Sequence, residues 1–270
     1  MIANVLSIAG TDPTGGAGIH ADIKTVSALG AYAMAAVTAV VAQNTRGVRS
    51  FVALDPDFVG EQIDAVFDDV RVDAVKVGMV ANARIAETIA GRLKRHAARN
   101  VVLDPVMVAK SGHHLLEPDA VSAIREHLVP LATVITPNLP EAGVLLGADE
   151  AWSLALMRER VGDLLALGPD WVLLKGGHLD GSKESTDLLH GPSGTVEFSA
   201  PRIRTRNDHG TGCTLSAAIA ALLPTRPVEE SVREAKAYMH EALAASGALK
   251  VGQGHGPLHH FHRLWGGRPL

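Results

Sequence analysis

The sequence predicts an α/β fold: a mixed, mostly parallel central sheet with right-handed crossovers and an antiparallel hairpin at one edge. Short apolar, β-branched runs alternate with segments of helical period from end to end. The chain is 47% hydrophobic but only 4% aromatic, a composition that suits closely packed parallel strands under helices better than an aromatic-rich β-sandwich. The residues that follow the apolar runs are polar and glycine-rich, as the carboxyl ends of parallel strands are where ligands bind.

The strands are expected at residues 5–9, 33–41, 74–77, 101–103, 133–135 and 171–174. Between them, residues 20–29, 57–67, 82–96, 119–127 and a long stretch after Asn138 carry apolar side chains at helical spacing. Residues 186–203, with Gly191-Pro192-Ser193-Gly194 between short apolar runs, read as the edge hairpin. Helices follow over 211–223 and 228–249, the second closed by Gly252 and Gly254. No repeat, linker or change of composition divides the chain, so one domain over residues 1–270 is expected.

The formal net charge is −4 with charges of both signs interspersed, which excludes a basic footprint for nucleic acid. One cysteine excludes an internal disulfide framework and fits a reducing compartment, with the cytoplasm as the default. The apolar start lacks a basic leader and no run reaches the length of a membrane span, so it reads as a first strand.

The first loop, Gly10-Thr11-Asp12-Pro13-Thr14-Gly15-Gly16-Ala17-Gly18, presents backbone amides ahead of a helix. Gly16 stands where a P-loop would carry its lysine. Residues 16–21 fit a permissive dinucleotide fingerprint, but the second strand leads to Gln43 and not to a ribose-binding acid. Asn207-Asp208-His209-Gly210-Thr211-Gly212-Cys213-Thr214 runs straight into a helix. Amides of Gly210, Thr211, Gly212 and Cys213 would converge on an anion at the helix start, and the same position is expected to lower the pKa of the Cys213 thiol. A small buried hydrophobe is the alternative for Cys213. Asp104 precedes Pro105 at a strand end, where it suits either a turn or a water-mediated magnesium contact. Asn138 and Glu141 have the spacing of a capping box, which is compatible with organising a metal. Lys175, before Gly176-Gly177, would bring an ammonium toward phosphates or into solvent. The histidines at 255, 259, 260 and 262 read as a solvated tail.

Taken in order, residues 6–22, 42–47, 76–79, 103–112, 136–141, 175–178, 209–218 and 254–257 resemble the hydroxymethylpyrimidine/phosphomethylpyrimidine kinases over nearly the whole chain. The resemblance implies a ribokinase-like three-layer α/β/α fold, a homodimer, ATP and Mg²⁺, and two successive phosphorylations of a thiamin-precursor aminopyrimidine at one site. It implies Cys213 as base and the amides from Gly210 to Cys213 as anion hole. It places Asp104, Asn138 and Glu141 around magnesium and phosphate, with Asp104 and Glu141 holding the metal through water, Lys175 on phosphate and Lys236 on the nucleotide side. Gln43, Gly10, Asp22, Met79 and Val106 would face the pyrimidine, the Gln43 amide offering a donor and an acceptor to its edge. Asp208 departs from the Thr usual before His-Gly-Thr-Gly-Cys. A pyridoxal kinase on the same fold, a non-catalytic pyrimidine-binding protein and a dinucleotide-dependent oxidoreductase are the competing readings.

Overall fold

In the computed structural model, which describes residues 1–107, 118–179 and 182–265, an eight-stranded sheet organises the molecule. Its strands are β1 (Asn4–Ala9), β2 (Tyr32–Val37), β5 (Ala74–Val77), β6 (Val101–Leu103), β7 (Val134–Ile135), β8 (Trp171–Leu174), β9 (Glu184–Gly191) and β10 (Gly194–Pro201). The spatial order is β10-β9-β8-β7-β6-β5-β1-β2. Within it β2, β1, β5, β6, β7 and β8 run parallel, and β9 and β10 are antiparallel, which is the predicted edge hairpin.

Helices cover both faces. On one lie α1 (Gly18–Ala28), α7 (Thr211–Leu222) and α8 (Val228–Ala244). On the other lie α2 (Pro56–Asp69), α3 (Ala83–Arg95), α4 (Pro118–Ala123), α5 (Leu139–Leu146) and α6 (Leu154–Leu165). A four-residue helix, α9 (His262–Trp265), follows near the end of the described chain. The two faces divide each strand at period 2: Leu6 and Ile8 join the core under α2 and α3, while Val5 joins the core under α7 and α8. Among the described residues no helix is long and apolar enough to cross a membrane.

Four features differ from the sequence expectation. The apolar run 33–41 breaks at Thr38. Its hydroxyl donates to the Met79 carbonyl at 2.6 Å, and the chain leaves the main sheet to form β3 (Ala39–Asn44), which pairs antiparallel with β4 (Gly47–Ala53) as a separate two-stranded flap. Polar Arg49 and Ser50 hide β4 from a search for apolar runs. The stretch after Asn138 splits because Gly147, at φ +67°, ends α5, and Ser153 caps α6 with a bond from the Leu156 amide. The expected last helix ends early, giving way to a 3₁₀ turn over Ala245–Ala248. The histidine tail is also packed and not solvated at its centre. His259 and His260 are buried, the Tyr238 hydroxyl donates to the His260 carbonyl at 2.6 Å, and burial pushes the His260 imidazole down to about 3.

The chain turns one way from β1 to β2 and the other way from β5 onward. That reversal opens a crevice beyond the carboxyl ends of β1 and β5, the position where open α/β sheets bind ligands.

Candidate active site

The loops at this crevice are held by backbone geometry. Gly210 caps α7 at φ +86°, and a β-carbon there would lie 1.9 Å from the Gly16 carbonyl oxygen. Only glycine allows the loop before α7 to pack backbone-to-backbone on the glycine loop after β1. The first intrahelical bond of α7 runs from the Thr214 amide to the Gly210 carbonyl at 2.8 Å. The amides of Thr211, Gly212 and Cys213 precede it at the helix start, where unpaired donors and the helix dipole favour an anion.

Against this start stand the residues after β6 and β8. A β-carbon on Gly212 would lie 3.3 Å from Lys175 Nζ and 3.5 Å from Asp104 Oδ2. Asp104, buried, accepts from Lys175 at 3.0 Å, from the Thr136 hydroxyl at 3.1 Å and from the Ser216 hydroxyl at 3.3 Å. Burial opposes its charge, but Lys175 and Lys76 outweigh that and hold the carboxyl below its ordinary range. Lys175 Nζ also stands 3.9 Å from Glu141 Oε2. Glu141 forms the predicted capping box: its carboxylate accepts from the Asn138 amide at 2.7 Å, and the Asn138 side chain accepts from the Glu141 amide at 2.9 Å. Burial pushes Glu141 up to about 7; Lys175 pulls against that shift and Asp104 adds to it. Capping and a place beside Lys175 therefore coexist.

The Cys213 thiol contradicts the helix-start expectation. Burial pushes it up to about 11, which Lys76 and the Gly18 amide only partly oppose and which Asp22 and Asp104 reinforce. The dipole effect is worth about 0.3–1 kcal/mol, too little to outweigh desolvation of a thiolate. At neutral pH the group is a thiol.

On the other side of the crevice, a β-carbon on Gly10 would sit 2.9 Å from Met79 Sδ and 3.6 Å from the Ala39 carbonyl oxygen. Gly10, Met79 and the flap are thus brought together. Val106 packs on the same apolar cluster as Met79, and its amide closes a turn onto the Asp104 carbonyl at 2.8 Å. Gln43 is half-buried on β3, its side chain near enough to Asp12 to stabilise that carboxylate.

Two expected site residues are held in buried ion pairs. Asp22 is fully buried beside β1 and β5: its Oδ2 accepts from Lys76 at 2.8 Å and from the Ser7 hydroxyl at 2.6 Å, while its buried Oδ1 has no hydrogen-bond partner. Lys236 points its ammonium at Asp187 Oδ2, 2.6 Å, and the Ser185 carbonyl, 3.0 Å. Asp187 Oδ1 in turn accepts from the Gly176 amide at 2.9 Å. Residues 108–112 of the expected motif 103–112 lie outside the described residues.

Spacing did not single out Lys76, Thr136, Ser216 or Asp12. Lys76 lies inside an apolar strand and Asp12 in an Asp-Pro turn, where a bland reading is natural.

The family model described as phosphomethylpyrimidine kinase matches residues 12–259. The hydroxymethylpyrimidine/phosphomethylpyrimidine kinase of Escherichia coli (strain K12) is 55% identical over 263 residues, covering 97% of this chain and 98% of that protein. That of Rhizobium meliloti (strain 1021) is 53% identical, covering 98% and 99%. Among solved structures, the phosphomethylpyrimidine kinase of Clostridium difficile 630 superposes with a TM-score of 0.79 at 41% identity, over 89% of this chain and 99% of that one. The pyridoxal kinase of Staphylococcus aureus in complex with AMP-PCP and pyridoxal superposes with a TM-score of 0.89 at 30% identity, over 98% and 96%.

Proposed function

The chain belongs to the phosphomethylpyrimidine kinase family, and from that premise we propose that it carries out both phosphorylations at the crevice beyond β1 and β5. The substrates are 4-amino-5-hydroxymethyl-2-methylpyrimidine and then its monophosphate, the donor is ATP, and the pathway is thiamin biosynthesis. The observation that carries the site is the start of α7 set against Lys175 and Asp104, an amide cradle and an ammonium within one small volume.

In the first reaction the acceptor hydroxyl oxygen bonds to the γ-phosphorus as the bond to the ADP oxygen breaks. The second differs only in that a phosphate oxygen attacks. Gln43, Gly10, Met79 and Val106 would orient the pyrimidine. The amides from Gly210 to Cys213 would hold the migrating group, and Lys175 would turn from Asp104 toward phosphate. A loose transition state releases the hydroxyl proton late and needs no strong base. A protonated Cys213 therefore suits positioning of the hydroxyl better than the base role that the resemblance implies, and the proton leaves on the transferred phosphoryl group.

Asp104 and Glu141 are hard oxygen donors. The repulsion that helps keep Glu141 protonated near neutrality is what a cation would relieve, so the pair fits magnesium held through water. Bound there, magnesium would neutralise charge on the phosphates. Asn138 organises Glu141, and Lys236 supports the nucleotide side through Asp187 and Gly176. The proposal includes one kinase domain over residues 1–270, a cytoplasmic location and a homodimer. Exposed Val40 and Val52, paired across the flap, offer apolar surface for a second copy.

The closeness of the S. aureus pyridoxal kinase fold favours a second reading, since pyridoxal also presents a hydroxymethyl group on a flat heteroaromatic ring. ADP release from Mg-ATP, followed separately with the pyrimidine alcohol, its monophosphate and pyridoxal, distinguishes them. Turnover of both pyrimidines at least tenfold above pyridoxal is expected; a clear preference for pyridoxal overturns the substrate assignment.

A further inference from the structure

We infer that Asp12 is a positioning residue that couples the acceptor-reading flap to the phosphoryl-holding loop through His209, an inference that rests on the site proposed above. Asp12 is fully buried yet contributes no free oxygen to the crevice. Oδ1 accepts from the Thr14 amide and hydroxyl at 2.9 and 2.8 Å. Oδ2 accepts from the Gly16 amide at 3.1 Å, the Ala17 amide at 2.8 Å and His209 Nε2 at 2.8 Å. The Gln43 side chain lies near enough to stabilise the charge as well, and the flap is tied to the same loop by the Val41 amide, which donates to the Thr11 hydroxyl at 2.9 Å. A carboxylate has about four lone-pair sites, so these donors saturate it. Burial alone would raise its pKa, but His209, Gln43 and Thr14 outweigh burial and hold the carboxyl well below the ordinary range. A saturated, ionised carboxylate can serve neither as proton acceptor nor as metal ligand. Its influence must pass through the groups it holds.

Those groups close a ring. Gln43 of the flap reaches Asp12; Asp12 reaches His209, the residue before Gly210; the His209 amide donates to the Gly256 carbonyl at 3.1 Å. From the same C-terminal loop, the His255 amide donates to the Thr45 carbonyl at 2.8 Å and the Gly254 amide to the Thr45 hydroxyl at 3.1 Å. Thr45 lies two residues from Gln43, at the flap tip. His255 Nδ1 and Asp208 Oδ1, 3.0 Å apart, brace the ring beside His209. The residue that would read the acceptor and the loop that would hold the phosphoryl group are thus joined twice, once through Asp12 and once through the C-terminal loop. A ring of this kind lets acceptor binding set the position of the Gly210 amide cradle, and a cut anywhere on the Asp12 arm removes that arm's constraint while the C-terminal loop still tethers the two ends.

The test is a double-mutant cycle on kcat/KM for the pyrimidine alcohol, using the full-length protein with Gln43→Leu, His209→Phe and both together. His209→Phe keeps the ring packed on Gly16 and removes the donor to Asp12. Each single variant is expected to raise the acceptor KM five- to tenfold. His209→Phe should also lower kcat, and the double variant should be no more than about tenfold worse than wild type, because either cut removes the constraint of the same arm. His209→Gln, which keeps a donor within reach, is expected to recover most of the acceptor affinity, a recovery that a purely structural role in stability would not give. If His209→Phe does not accumulate as folded protein, His209→Asn, whose amide is too short to reach Asp12, takes its place. Effects that multiply independently, or the absence of rescue by His209→Gln, overturn the coupling alone. A Gln43→Leu variant with an unchanged acceptor KM overturns the acceptor-site assignment, and the coupling with it.

Discussion

Two buried lysine–aspartate pairs approach the first turn of α7, and they are built for opposite purposes. Lys76 and Asp22 meet at 2.8 Å with side chains 1% and 0% exposed. Lys175 and Asp104 meet at 3.0 Å with side chains 13% and 2% exposed. The chemistry is the same; the surroundings are not. Lys76 stands opposite Ser7 in the β1–β5 register, so two adjacent strands present two donors to one oxygen of Asp22 on α1. Burial disfavours the Lys76 charge, but Asp22, and beyond it Cys213 and Asp104, outweigh that and hold it protonated. Lys175, at the end of its strand, retains an exposed side, borders the Gly212 backbone and stands near a second carboxylate. A sealed pair fixes charge beneath the site. An open pair with a competing acid can exchange its partner for an incoming phosphate.

The largest expected effect separates the two by stability. Lys76→Met leaves an unpaired carboxyl in a dry interior and should cost about 3–5 kcal/mol of unfolding free energy in urea titrations. Lys175→Met should cost less stability, because Asp104 keeps the Thr136 and Ser216 hydroxyls, but should lower kcat by about 10²–10³, the loss typical of one preorganised donor. Equal stability losses would show that exposure does not distinguish the pairs. Full activity in Lys175→Met would remove the lysine from the transfer site.

That contrast also marks how far the sequence could be read. Strands and crossovers were legible because a two-sided parallel sheet writes continuous apolar runs, and Gly210 to Cys213, Asp104, Glu141 and Lys175 stood out because strand ends and helix starts are local features. Lys76 did not, since its function depends on facing Ser7 across the sheet and Asp22 on another element. The ion pairs of Asp22 with Lys76 and of Lys236 with Asp187 were hidden for the same reason: the resemblance marks a position, while the direction of a side chain follows from packing. The flap was hidden in one apolar run broken only at Thr38. The Cys213 thiol was judged by its helix dipole, a local effect, and decided by burial, a tertiary one.

A smaller effect follows from Glu141 on the open side. Its folded pKa, pushed up to about 7, lies above the ordinary carboxyl value, so the folded state binds more protons than the unfolded one between about pH 4.5 and 7. Stability from this group is therefore present at the acid end of that window and lost as pH rises through it, by up to about 1.4 kcal/mol per pH unit. Catalysis runs the other way, because the ionised carboxylate is the form that would organise a cation. The pH profile of kcat/KM for Mg-ATP should rise through an acid limb near 7, and Glu141→Gln should remove that limb and lower the plateau about tenfold. A limb that survives in Glu141→Gln would assign it to another group.

The smallest expected effect lies between the pairs, at Cys213. A base role requires a thiolate, and a thiol pushed up to about 11 supplies very little of it at neutral pH. A positioning role requires only a small group that hydrogen-bonds the acceptor hydroxyl. Serine can do the second and not the first, because its hydroxyl is far less acidic than a thiol. Cys213→Ser is therefore expected to keep kcat within about tenfold of wild type, with Cys213→Ala below it, the loss of one hydrogen bond to a reacting group being worth roughly 1–3 kcal/mol. If the serine variant falls as far as the alanine variant, and iodoacetamide alkylation of the wild-type thiol reaches its plateau below pH 9, then the field of Lys76 outweighs burial, the sealed pair tunes the nucleophilicity of its neighbour, and Cys213 is the base.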